Sequence, residues 1–169
     1  MSGAELKTLR EALGLPVSWL ADRAGVRERT ANYWESGKSQ IPEDVAKLVT
    51  DLDKAFDERV SLAVRDYGKY GAQDPEIVLV RYRTDEDLRR YMPEFADLPA
   101  TCHAALLNRA KKALEQAGAS VRIVYMQPDA YQAWLGTRTD APPLRAAWAA
   151  SLSATSSSPP TPSCINKKY

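Results

Sequence analysis

The stretch that most constrains the fold is SWLADRAGVRERTANYWESG, Ser18 to Gly37, where a small residue, a glycine and a hydrophobic residue stand at Ala21, Gly25 and Val26. Two short helices can cross at a steep angle only where a small side chain lets their backbones approach, and Ala21 supplies it. The chain must then turn sharply, and Gly25 can take the positive φ that such a turn requires. Val26 plugs the turn from inside, while Ala31 and Trp34 fall on the buried side of the following helix. The outer side of that helix holds Arg27, Glu28, Arg29, Asn32, Tyr33 and Ser36, with Lys38 just beyond.

The flanking sequence completes a small helical bundle. Leu6, Leu9, Ala12 and Leu13 recur at helical spacing from Ala4 to Leu13, with Ser2 as a cap and Gly14 as a stop. Pro16 suits the first turn of a second helix, Val17 to Ala24, and Gly37 closes a third, Glu28 to Ser36. A fourth starts near Ile41 and Pro42, its inner stripe running through Val45, Val49, Leu52, Phe56, Val60 and Ala63 as far as about Arg65. Residues 67–75, rich in Gly, Tyr and Asp around their edges, read as a hinge.

The period then changes. EIVLVRYR and VRIVYM are compact apolar runs that read as strands, Ile77 to Tyr82 and Val121 to Met126. Between them lie a helix from Asp85 to Tyr91, capped by Thr84, and a longer one from about Thr101 to Gln116, so the strands can pair in parallel through a helical crossover. Pro128 to Leu135 and Leu144 to Ser151 give two further helices. From Leu152 onward Ser, Thr and Pro dominate, which predicts a disordered tail. The fold class is α+β: a helical bundle over residues 1–66, a small α+β unit over 76–151 and a tail over 152–169. Two strands alone leave open edges, so a second copy is expected to cover one and make a homodimer.

Ala21, Gly25, Val26 and the W-E-S-G closing the third helix at Trp34 to Gly37 resemble, position by position, the Xre/Cro family of helix-turn-helix repressors. The longer string YWESGKSQIPEDV is similar to a narrower group, the anti-CRISPR-associated regulators of phage and prophage. The resemblance covers Leu6 to Leu52. It implies a dimer that binds double-stranded DNA at an inverted repeat and represses its own operon; the narrower group also leaves room for messenger RNA. It further implies that Glu35 pairs with Arg10 of the first helix, placing Arg10, Ala21, Gly25, Val26, Ala31, Trp34 and Glu35 in the scaffold. Arg29 and Asn32 then suit base edges, because a guanidinium grips guanine and a carboxamide adenine through paired hydrogen bonds. Arg27 suits base or phosphate, and Glu28 a cytosine amine or its neighbouring arginines. Tyr33, Ser36 and Lys38 suit phosphates, which set register. Two positions depart from the family: Val17 stands where glutamine is common, and Trp19 takes a usually polar position, to pack on the fourth helix or flank the DNA backbone.

Charge provides a check on these readings. Lys and Arg number 23 against 22 Asp and Glu, so any attraction to nucleic acid must come from a local patch. Within residues 1–40 the cations Lys7, Arg10, Arg23, Arg27, Arg29 and Lys38 are nearly cancelled by Glu5, Glu11, Asp22, Glu28 and Glu35. The acids of the fourth helix, among them Asp53 and Asp57, should face away from DNA. No run is long enough to span a membrane and the N-terminus lacks a secretory core, which reads as cytoplasmic. Cys102, His103 and Cys164 form no disulfide or metal framework. Without paired carboxylates, a phosphate-binding glycine loop or a nucleophile with its base, the sequence predicts neither enzyme nor cofactor. The rival readings are an antitoxin gripping a toxin with its second half, and a ligand-responsive regulator with a pocket near Tyr82, Tyr125, Tyr131 and Trp134. Those aromatics suit a core better than a pocket, and Arg27, Arg29 and Lys38 would serve an RNA backbone as well.

Overall fold

The structure, a computed structural model, describes residues 1–70 and 76–154. α1 (Gly3–Ala12) opens on a capping box in which the Ser2 hydroxyl accepts the Glu5 N–H at 3.2 Å and the Glu5 carboxylate accepts the Ser2 N–H at 2.5 Å. α2 (Val17–Arg23) and α3 (Glu28–Glu35) follow, joined by a turn in which Gly25 has φ +65° and the Val26 N–H reaches the Ala21 carbonyl at 2.9 Å. α4 (Glu43–Tyr70) is 28 residues long.

That length corrects the expected hinge. The helix passes Arg65 and includes residues 67–70, leaving 71–75 outside the described residues. The physical reason is burial: Val64 and Tyr67 pack against a small cluster of Leu114, Ala119 and Val121, and this contact carries the helix through Gly68 despite glycine's poor propensity.

β1 (Ile77–Arg81) and β2 (Val121–Tyr125) form a two-stranded parallel sheet, in register from Ile77 opposite Val121 to Arg81 opposite Tyr125. The crossover runs through α5 (Asp85–Tyr91), a 3-10 turn (Pro93–Phe95) and α6 (Ala100–Gln116). Tyr82 and Met126, expected at the strand ends, lie just past them and are buried. α7 (Pro128–Leu135) and α8 (Pro142–Ala154) complete the described chain, with α8 packed against β1. α8 also corrects the tail, which was expected from 152. Trp148 and Ala149 are sealed in the core and Leu152 packs against it, so helix persists to Ala154; residues 155–169 lie outside the described residues.

One core joins what the sequence divides into two units. Leu6, Leu20 and Phe56 belong to the same buried cluster as Tyr91, Tyr131 and Trp148. Polar contacts fasten the same seam. Thr101 at the start of α6 donates its hydroxyl to the Gly14 carbonyl at 2.6 Å, and Arg23 reaches the Asp97 carboxylate at 3.5 Å. Trp19, expected against the fourth helix or the DNA backbone, instead gives its indole N–H to the Asp97 carbonyl at 2.9 Å. The usually polar position is aromatic because the second half packs over it.

Candidate nucleic-acid interface

The position of α3 is set by a buried ion pair. Arg10 on α1 is 8% exposed; its Nε donates to Glu35 Oε1 at 2.5 Å, its Nη2 to Oε2 at 3.0 Å and its Nη1 to the Leu15 carbonyl at 2.7 Å. The Glu35 hydrogen bonds push the guanidinium above its ordinary pKa. With the fork fully engaged, the pair locks α1 against the last turn of α3, a gain in orientation more than in net stability. Ala21, Ala31 and Trp34 are buried and Val26 half-buried, so the motif's inner positions close on the core.

On the opposite side Arg27, Glu28, Arg29, Asn32, Ser36 and Lys38 are exposed, and Tyr33 is half-buried. The side chains are held in relation to one another. Arg29 Nε donates to the Tyr33 hydroxyl at 2.6 Å, and the Arg29 guanidinium and Lys38 ammonium lie 5.4 and 5.6 Å from the Tyr33 ring centre. Asn32 spends one amide N–H on the Glu28 carbonyl at 3.0 Å, which leaves its oxygen and second N–H for a base edge. Ser36 donates to the Tyr33 carbonyl at 3.3 Å, a local bond that a phosphate would have to share. Arg27 caps α3 with backbone alone, so its side chain is not consumed in closing the helix.

Lys7 is a residue that sequence reasoning missed. It lines, with Asn32, Tyr33, Ser36 and Lys38, a concavity of about 320 Å³ at the end of α3. A signal for it exists: Lys7 lies one turn before Arg10, and the Arg10–Glu35 pair swings that side of α1 over α3.

Pairing also revises the charge of the head. Glu35 is spent on Arg10 and Glu5 on its own helix cap, so the near-cancellation seen in the sequence does not describe the outer face of α3. On α4, Asp53 and Asp57 go to Arg109 of α6 at 2.7 and 3.3 Å, and Asp51 pairs with Lys47.

The aromatics considered for a ligand pocket differ in their surroundings. Tyr131 is fully buried with its hydroxyl on Asp140 at 2.5 Å and stacks on Trp134 at 6.2 Å, Tyr82 is buried and stacks on Tyr91 at 5.9 Å, and Tyr125 lies outside, 39% exposed beneath the Arg83 guanidinium at 3.8 Å. Burial pushes the Cys102 thiol up to about 12, and burial with the nearby Arg81 pushes the His103 imidazole down to about 4, so both groups are neutral at neutral pH. Among the described residues no cluster of three or more His, Cys, Asp or Glu could hold a metal ion, and no helix is long and apolar enough to cross a membrane.

A family model described as a helix-turn-helix domain matches residues 3–56, from the start of α1 into the middle of α4. The Aca2 repressor of Pectobacterium phage ZF40 is 32% identical over 115 residues, an alignment that covers 58% of this chain and 99% of that protein. The chain belongs to the Aca2 family of helix-turn-helix repressors. Membership accounts for the motif around Gly25. For an Aca2-family chain, the match over nearly the whole relative means that the shared plan extends past the residues of the helix-turn-helix model.

Proposed function

We propose that the protein is a dimeric, sequence-specific repressor that binds double-stranded DNA at an inverted repeat beside its own operon. Arg29 and Asn32 read base edges, Arg27 and Glu28 flank them, and Tyr33, Ser36, Lys38 and Lys7 meet phosphates. The observation that carries this reading is the division of α3 into a sealed face, Ala31 and Trp34, and an exposed face on which Arg29 and Tyr33 are already engaged with each other. Residues 76–151 serve as the dimerisation unit. In support, β2 has no strand on its far side among the described residues, and Ile123 and Tyr125 on it are 37% and 39% exposed. Holding two heads on one twofold site would supply the affinity that a single, weakly charged head lacks.

The test is a gel shift on the DNA upstream of the protein's own gene. Arg29→Ala and Asn32→Ala should each weaken operator binding by roughly 1–3 kcal/mol and relax discrimination at one base pair per half-site. Undiminished, sequence-specific binding by both variants would reject this reading face.

A further inference from the structure

A slot where α4 meets the second half of the molecule has features that the packing of a core does not require. α4, the 3-10 turn and α6 bound a cavity of about 210 Å³ whose lining includes Arg59, Val60, Phe95, His103 and Ala110. A second cavity of about 190 Å³ lies towards β1 and α8, and Met92, His103 and Leu107 belong to both. His103 thus stands where the two meet. It is 4% exposed, packed between the rings of Phe95 and Tyr82 at centroid distances of 5.3 and 5.4 Å, and its Nδ1 is buried with no hydrogen-bond partner. A buried polar atom without a partner is costly, and leucine would fill the position without that cost. The imidazole is neutral at physiological pH, because burial and the nearby Arg81 push its pKa down to about 4.

The other end of the slot carries a cation. Arg59 is exposed, its guanidinium lies 4.7 Å from the centre of the Phe95 ring, and it has no carboxylate partner among the described residues. Of the neighbouring acids of α4, Asp53 and Asp57 are committed to Arg109, while the adjacent Glu58 makes no ion pair among the described residues. Arg59, Phe95 and His103 therefore stand in order from mouth to floor, a cation, an aromatic wall and an unsatisfied polar atom, with Val60, Met92 and Leu106 as apolar sides.

We propose that this slot binds a small hydroxyaryl carboxylic acid, its carboxylate on the Arg59 guanidinium, its ring between Val60, Met92 and Leu106, and its hydroxyl on His103 Nδ1. An apolar cleft with a few convergent polar groups is the usual form of a small-molecule site, and a guanidinium over an aromatic face is well placed to hold a carboxylate. The proposal does not rest on DNA recognition, and its test uses no DNA.

The full-length protein is titrated with 4-hydroxybenzoate and 4-hydroxycinnamate, and with the corresponding amides, by saturation-transfer NMR and thermal denaturation. At least one acid should bind and raise Tm by about 3 °C at ten times its Kd, with its amide at least about tenfold weaker. Arg59→Gln should erase the preference for acid over amide and, through loss of the cation–π contact with Phe95, lower the Tm of the free protein by no more than about 3 °C. Ala110→Leu, which fills the slot, should abolish binding. The proposal is overturned if neither acid binds at 10 mM, at a level of roughly millimolar affinity or weaker, if acid and amide bind equally, or if Arg59→Gln leaves the preference intact.

Discussion

Tyr33 illustrates how much of the proposed reading surface can be settled by one side chain. Its hydroxyl accepts from Arg29 and its ring carries both Arg29 and Lys38, so the arginine fork is oriented before any nucleic acid arrives. Tyr33→Phe keeps the ring and removes the 2.6 Å hydrogen bond. Operator affinity should fall by about 1 kcal/mol with Tm unchanged, compared by gel shift and melting; a fall in Tm without loss of affinity would make Tyr33 a packing residue only. His103 gives a pH signature. Burial first and Arg81 second lower its folded pKa from 6.5 to about 4. As pH falls through 6.5 the unfolded chain takes up a proton that the folded chain refuses until about 4, so the stability held by the neutral ring is full above that window and lost through it. The loss should be on the order of 3 kcal/mol, and His103→Leu should flatten the slope in urea melts between pH 7 and 4.5.

At the scale of elements, two glycines with the same backbone sign separate local from tertiary constraint. Gly25 has φ +65° and open space where a Cβ would sit, so Gly25→Ala should cost only the backbone strain, about 1–2 kcal/mol. Gly14 has φ +67° and a Cβ there would lie 2.4 Å from the Thr101 carbonyl oxygen, at the first turn of α6. Gly14→Ala should therefore destabilise more than Gly25→Ala, by displacing α6 and breaking the Thr101 to Gly14 hydrogen bond. Equal losses in chemical denaturation would show that the head and α6 do not approach as closely as this. α4 and α8 teach a related lesson. Both run beyond the ends that composition suggests, because Val64, Tyr67 and Leu152 find apolar partners distant in sequence.

For the whole molecule, the shared core makes the helix-turn-helix head part of a larger body. Trp19 and Arg23 both reach Asp97, Thr101 reaches Gly14, and α4 packs along α6. A head so fastened cannot choose its own orientation on DNA, so two heads spaced by a dimer would have a set separation. Light scattering after gel filtration should give twice the chain mass at micromolar concentration, and substituting Ile123 and Tyr125 with Lys should shift it towards monomer and weaken operator binding together. A wild-type monomer that still binds the operator tightly would remove the dimer from the proposal.

The helix-turn-helix was legible because its rules are local: Ala21, Gly25, Val26 and Trp34 are dictated by a crossing angle, a backbone sign and a helical period, all contained in about twenty residues. The two strands and their parallel pairing were legible for the same reason, from compact apolar runs and the helices between them. The partner of Trp19, the place of Lys7 beside α3, the reach of α4 and the line of Arg59, Phe95 and His103 were not, since each depends on which distant surfaces meet. Sequence alone determined the elements and the helix-turn-helix motif, where neighbours along the chain supply the constraint. Tertiary structure alone decided how head and body are joined and what the join encloses, because burial is a property of surfaces brought together from far apart in the chain.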